Sequence, residues 1–260
     1  MNKLLKKINQ IMLWFGLNLK ALTKLVYIKK FIFDYLDYKK KGGKVNKLYP
    51  IINEHKLSSD KSDVIQNNSH YFNQDLLVAN YINKTKPNRH VDIGSRIDGF
   101  VSNVASFRKI EIFDIRKNKI FFENIKFKRA DITKLNKKYF NYSDSVSCLH
   151  TIEHIGLGRY GDAIDPQGHI KAFNNLKKIL KKNGKLYISF PLSEKTKVHF
   201  NAHRTFEKSE ILKWIENDLK LVNFDFINDQ GELFKSAKLS KISTKNLDYG
   251  LGIYTFKKLK

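Results

Sequence analysis

The spacing of apolar and polar positions changes near residue 90 and divides the chain into two textures. Before that point apolar residues recur at steps of three and four, the spacing of one helical face. Leu4, Leu5, Ile8, Ile11, Met12, Phe15 and Leu19 follow this rule with Lys3, Lys6, Lys7 and Asn9 elsewhere. An amphipathic helix is therefore predicted over residues 1 to about 40. The stretch KKKGGKVNKLYP, residues 39–50, concentrates Lys, Gly and Pro and reads as a linker or loop. Phe72, Leu76, Leu77, Ala79 and Ile82 then predict a second helix over 70–87, stopped at Lys86-Pro87.

From residue 90 the chain shows short apolar runs separated by helical patterns: HVDIG, KIEIFDI, IKFKRADI, DSVSCLH, GKLYISFP, LKLVNFDFI and GIYTFKK. Seven strands alternating with helices predict an α/β domain with a mostly parallel sheet and helices on both faces. The clearest crossover helix is HIKAFNNLKKILKK, residues 169–182, with Ile170, Phe173, Leu176, Ile179 and Leu180 on one face and Gly184 after Asn183 as its stop. The expected organisation is an N-terminal helical extension, residues 1–45, followed by one α/β domain, residues 46–260.

Composition narrows the setting. With 260 residues and 42% hydrophobic content, the chain can bury one large core. A single cysteine, Cys148, excludes a disulfide framework and any multi-cysteine metal site, which fits a reducing, cytoplasmic setting. The longest apolar run near the N-terminus, Ile11 to Leu17, is too short to span a bilayer, and no small-residue cleavage site follows it. Forty-nine Lys and Arg against 25 Asp and Glu give a net charge of +24, a field that attracts nucleic acid, anionic lipid or acidic substrates without choosing among them. The bias tracks a general abundance of Lys, Asn, Ile and Phe, and no compact arginine-aromatic motif accompanies it. The basic N-terminal helix, which carries Trp14, suits packing on the main domain, on a second copy of the chain, or on an anionic membrane surface as a peripheral contact.

Candidate chemistry begins at HVDIGSRIDGF. A strand ends at Ile93 and turns through Gly94, where a doubly wound sheet brings a cofactor close to the backbone. Gly94 and Gly99 have P-loop spacing, but Phe100 and Val101 stand where Lys and Ser/Thr are required; the dinucleotide fingerprint fails because Arg96 occupies its second glycine position. What survives is Asp92 at the end of the first strand, Asp114 ending the second, and Asp131 after the third. Such carboxylates suit an ammonium, a ribose diol and an adenine amine.

With these residues the sequence resembles class I S-adenosylmethionine-dependent methyltransferases. VDIGS is similar to their first motif, FDI to the ribose-binding acid, ADIT to the adenine-contacting segment, SVSCLHTIEH to the fourth-strand motif and GKLYISFP to the fifth strand, over roughly residues 70–257. More narrowly, HVDIGSRIDGF, LHTIEHIGLGRYGDAIDPQGH and FNAHRTF resemble a little-characterised bacterial methyltransferase-like family associated with surface-polysaccharide gene clusters. The resemblance implies a Rossmann-like fold, S-adenosyl-L-methionine as cofactor, and cofactor contacts at Asp92, Gly94, Ser95, Arg96, Gly99, Asp114, Ile115, Asp131, Ile132 and His150. It also implies a capsule or lipopolysaccharide precursor as acceptor, methylated on a sugar hydroxyl or an anionic phosphate- or phosphoramidate-type oxygen. An RNA or other nucleic-acid methyltransferase is the alternative that the charge suggests.

His150, His154, His169, His199 and His203 fall after the expected fourth and fifth strands, whose loops project from one sheet edge. His150, Glu153 and His154 spell HxxEH, a zinc-peptidase signature, but that chemistry needs a regular helix, and Gly156 and Gly158 leave little room for one. No metal is expected. For transfer to a sugar hydroxyl, His154 is the expected general base, with Glu153 or Asp162 orienting it and His203 as second candidate. Arg159, Tyr160, Asp162, His199 and Arg204 are the expected acceptor-binding residues, the arginines because guanidinium forks match oxyanions.

Overall fold

A computed structural model describes residues 12, 19–48, 69–118 and 122–260. An eight-stranded sheet forms its centre, in the order β10-β9-β11-β6-β5-β2-β3-β4. The strands are β2 (His90–Ile93), β3 (Ile110–Asp114), β4 (Ile125–Arg129), β5 (Ser143–Leu149), β6 (Leu180–Leu192), β9 (Leu219–Ile227), β10 (Leu233–Phe234) and β11 (Gly250–Lys258). From β4 to β6 the pairing is parallel, while β11 runs antiparallel to both β6 and β9. All seven expected strands form, and the two-residue β10 extends one edge.

Period-two alternation places side chains on both faces of this sheet. On β6, Leu186, Ile188, Phe190 and Leu192 join one core, packed on Phe173, Leu176 and Ile179 of helix α4 (Gly168–Ile179). Tyr187 points to the opposite core with Leu77, Val78 and Ile82 of α2 (Ser69–Thr85) and Val104 and Ala105 of the short α3 (Ser102–Ala105). Each fully buried Leu, Ile or Phe contributes about 1.5–3 kcal/mol, so the two faces hold the sheet edge rigidly.

Two helical expectations are corrected. On α2, Phe72 and Leu76 are about half exposed; Leu77, Val78, Ala79 and Ile82 form the buried stripe instead. The crossover helix stops at Ile179, not 182, because β6 begins at Leu180 to pair with Ser143. The chain then loops through Asn183 (φ 63°) before the pairing resumes at Lys185.

The segment 39–50 is more than a linker. After a turn at Gly42 and Gly43, β1 (Lys47–Leu48) pairs parallel with β7 (Lys197–Phe200), which forms a hairpin with β8 (His203–Thr205). Strand β8 of this three-stranded sheet lies against β6 and against the turn that follows β5. The VHFNAH stretch is therefore ordered, with His199 paired opposite His203. Helix α1 (Leu19–Lys40) docks on it: Phe31, Tyr35 and Tyr38 surround the buried Phe200 with ring centroids 5.8, 5.9 and 5.2 Å away. Leu4, Leu5, Ile8, Ile11, Trp14 and Phe15 of the expected N-terminal helix lie outside the described residues. Among the described residues no helix is long and apolar enough to cross a membrane.

Candidate active site

A cavity of about 290 Å³ opens at the carboxyl edge of β2, β3 and β5, lined among others by Gly94, Asp114, Asp131, His150, His154 and Tyr160. Its floor is the turn after β2. Gly94 adopts φ 70°, and a Cβ there would stand 2.7 Å from the Thr151 side chain, so only glycine keeps this backbone in place. Arg96, Ile115 and Ile132 also line the cavity. Asp114 closes β3 at the rim; its carboxylate accepts from the Arg116 backbone N–H and from Arg116 Nε and Nη2 at 2.5–3.2 Å. Asp131 Oδ1 accepts from the backbone N–H and hydroxyl of Thr133, which caps the turn carrying Ile132.

Three expected cofactor contacts sit behind this wall. Asp92 is fully buried and accepts from Ser95 N, Ser95 Oγ and Ser147 Oγ, so Asp92 and Ser95 brace the turn from below. Burial pushes the Asp92 carboxyl up to about 6, against the opposing pull of those three donors. Gly99 faces α2, where a Cβ would meet Asp75 Oδ2 at 2.4 Å.

The other wall comes from the loop after β5. His150 takes φ 47° as the strand ends, and the single 3₁₀ turn Ile152–His154 follows, so His150 and His154 do not share a regular helix. Among the described residues no group of three His, Cys, Asp or Glu is placed to hold a metal ion. Glu153 lies between the two imidazoles. Its Oε1 is 3.0 Å from His150 Nδ1 and 3.6 Å from His154 Nε2, and its side chain is 1% exposed. His154 Nδ1 stands 2.6 Å from Ala202 O. Since a carbonyl only accepts, Nδ1 carries the proton and Nε2 is the basic nitrogen of neutral His154. Burial lowers the His154 pKa although Glu153 opposes it; burial would raise Glu153, but His154 and His150 hold it below the ordinary glutamate value. The pair is thus a carboxylate beside a neutral imidazole. His150 Nε2 and Glu153 Oε2 are buried with no partner.

The loop itself is fixed by Asp162, which accepts from the backbone N–H groups of Gly156, Gly158 and Tyr160 at 2.7, 3.3 and 3.2 Å. Gly156 has φ 86°, and a side chain there would strike Asp165 O at 2.0 Å. Arg204 belongs to this scaffold and not to the cavity wall. It is 2% exposed, and its guanidinium donates to the carbonyls of Glu153, Ile155 and Pro166. Arg159 donates to Ala202 O, the carbonyl that holds His154.

His154 and Tyr160 line the cavity and also belong to a second group of rings. His203 lies 6.4 Å from His154, 4.9 Å from His199 and 5.3 Å from Tyr249; Tyr249 in turn stacks on His70 at 5.8 Å. Burial, then His199 and His154, lower His203 to about 4, and burial and His150 lower His70 to about 4. These two imidazoles are therefore uncharged at neutral pH. His169 is not part of this group: the ring packs on Phe206 and Trp214, on the α4 side of the sheet. Sequence spacing missed Tyr71, His70, Arg116 and Tyr249. Only Arg116, two positions after Asp114, left a visible signal.

Residues 100–246, more than half of the chain, match the family described as "Caenorhabditis protein of unknown function, DUF268". The chain belongs to this family. No curated protein matches this DUF268 member in sequence. Its fold is similar to that of the 1,6-didemethyltoxoflavin N1-methyltransferase of Burkholderia thailandensis, crystallised with S-adenosylhomocysteine (12% identity, 73% of this chain and 80% of that one, TM-score 0.53). It is also similar to the N-methyltransferase NodS of Bradyrhizobium japonicum in complex with S-adenosylhomocysteine (11%, 87% and 99%, 0.51) and to the [4+2]-cyclase SpnF (12%, 71% and 81%, 0.51). The DUF268 member therefore has the class I methyltransferase fold. The cyclase shows that this fold hosts more than one chemistry, so function must come from the site.

Proposed function

We propose that this protein is an S-adenosylmethionine-dependent methyltransferase acting on a small-molecule acceptor. We take the methylated atom to be an oxygen of a surface-polysaccharide precursor, a sugar hydroxyl or an anionic phosphate- or phosphoramidate-type oxygen. One observation carries the reading: a single cavity joins the strand-end acids Asp114 and Asp131 to the buried His154–Glu153 pair. S-adenosylhomocysteine in two neighbours of the same fold supports the cofactor. The glycan part rests on the resemblance of the HTIEHIGLGRYGD and FNAHRTF stretches.

The donor wall fits such a cofactor chemically. Asp114 offers a carboxylate to a ribose diol, the turn at Ile132 offers backbone to an adenine, and Gly94 leaves the turn after β2 open. Asp92 and Ser95 then act as supports of that turn. When bound, S-adenosylmethionine supplies an electrophilic methyl group. The remaining work is positioning and proton removal. For a hydroxyl acceptor, His154 Nε2 takes the proton while Ala202 O holds the opposite N–H, and the Glu153 carboxylate stabilises the imidazolium formed. For an anionic oxygen no proton leaves, and His154 only positions the acceptor. Tyr160, His203 and Tyr249 are the acceptor-side contacts; Arg159 holds the loop at Ala202 O.

A cofactor-turnover assay over sugars, nucleotide sugars and phosphorylated sugars tests the reading, with His154→Ala alongside. Turnover that requires one of these acceptors supports it; a protein that binds the cofactor and methylates none of them, but methylates RNA in a salt-sensitive manner, overturns the acceptor assignment.

A further inference from the structure

Helix α1 turns one face to the protein and, among the described residues, leaves a second apolar face uncovered. Ile28, Ile32 and Leu36 repeat every four residues, with Phe33 beside them, and are 51%, 49%, 55% and 61% exposed. At 3.6 residues per turn these four fall on one side of the helix, apart from Phe31, Tyr35 and Tyr38, which pack at Phe200. Charge is sorted in the same way. Lys29 lies over the Phe33 ring, 5.9 Å from its centroid, and Lys40 falls on the same side three turns on. Asp34 falls on the opposite side, paired with Lys30, while Asp37, one turn on from Phe33, is paired with Lys41. The first 41 residues contain ten Lys and two Asp, with no Glu or Arg.

We infer that this face of α1 docks on an anionic membrane surface, with Ile28, Ile32, Phe33 and Leu36 entering the headgroup boundary and the lysines meeting acidic lipid. An apolar stripe flanked by lysines is the arrangement of a helix lying in a bilayer interface, and each lysine near an anionic leaflet adds attraction. The charge sorting selects this occupant. A second copy of the chain would bring the same lysines against each other, which is unfavourable. The inference does not depend on the methyltransferase reading. It has a consequence for the site: the inner side of α1 touches the loop over the cavity, through Lys41 to Ile164 O and Tyr38 to Arg204. The proposed membrane face and the loop that carries Tyr160 and Asp162 to the cavity therefore belong to one packed unit.

Flotation of the full chain with phosphatidylcholine vesicles, with and without phosphatidylglycerol, tests this, beside an Ile32→Glu/Phe33→Glu variant. The wild type is expected to float with the anionic vesicles only, less so in high salt, and the variant to lose at least about tenfold of its partitioning. The variant's melting temperature and cofactor affinity should stay at wild-type values, since both residues are exposed and remote from the cavity. Three results would overturn the inference: equal flotation on neutral vesicles, no flotation at all, or a wild-type dimer in ultracentrifugation that the variant dissolves while vesicles remain unbound. The last would assign the stripe to a second copy.

Discussion

The two walls of the cavity are built on different principles. The donor wall is made at the ends of neighbouring strands, where order along the chain dictates position: Gly94 after β2, Asp114 ending β3 and Asp131 after β4. The proposed acceptor side, the opposite cavity wall together with the rings next to His154, is assembled across the fold. His154 comes from the β5 loop, His203 from a hairpin on a second sheet, Tyr71 and His70 from the start of α2, and Tyr249 from the approach to β11. A wall set by strand order tolerates drift in its neighbours, whereas a wall set by tertiary convergence needs a dedicated scaffold. Here that scaffold is Arg204, Asp162, Ala202 O and helix α1.

The largest effect expected to test this division is catalytic. His154→Ala should lower kcat about 10²–10⁴-fold on a hydroxyl acceptor while cofactor affinity stays within a factor of two or so. Steady-state kinetics beside calorimetry would read both; a parallel fall in cofactor affinity would show that the walls are not separable. The kcat profile should also have an acidic limb below the ordinary histidine value, because His154 must be neutral to act and its pKa is lowered. In Glu153→Gln that limb should move to still lower pH, since the carboxylate that favours imidazolium is gone.

Next in size is the scaffold. Arg204→Met removes a buried guanidinium that donates to three loop carbonyls and should destabilise the protein by about 3 kcal/mol or more, read as a denaturation midpoint. A change below about 0.5 kcal/mol would mean that the acceptor loop holds itself without its buried guanidinium.

A comparable effect comes from pH. Burial lowers His90 to about 3 and His169 to about 3, with His70 and His203 at about 4. Each is neutral when folded, so stability is fully present above about pH 6.5 and is lost as pH falls toward these values. His90 alone, held between Ser145 and Ser147 hydroxyls, contributes about 3 kcal/mol of that loss at pH 4. Asp92 opposes the trend, because its raised pKa gives stability that fades as pH rises through about 6. Thermal melts from pH 7.5 to 4 should fall steeply, and His90→Gln should flatten the slope. A flat wild-type curve would contradict the burial of these rings.

The donor wall was legible in the sequence because a glycine turn and three acids at the ends of successive strands report on one another through spacing. The fold was legible for the same reason, since alternating strand and helix patterns fix the sheet and both covering faces. Residue types did not reveal direction. Asp92 and Arg204 have the chemistry of ligand contacts, yet the structure turns both inward, to Ser95 and Ser147 and to loop carbonyls. His169 has the chemistry of its neighbours but sits on a helix whose face belongs to the core. Tyr249 and His70 are 179 positions apart, and no local pattern links them.

The Asp114 carboxylate at the end of β3 is proposed to hold the ribose of S-adenosylmethionine. Calorimetric titration of wild type and Asp114→Ala with S-adenosylhomocysteine tests it most directly. Wild type should show saturable one-to-one binding and the variant about 10- to 100-fold weaker binding, the worth of hydrogen bonds to a charged group. Binding by both proteins with equal affinity, or by neither, would contradict it.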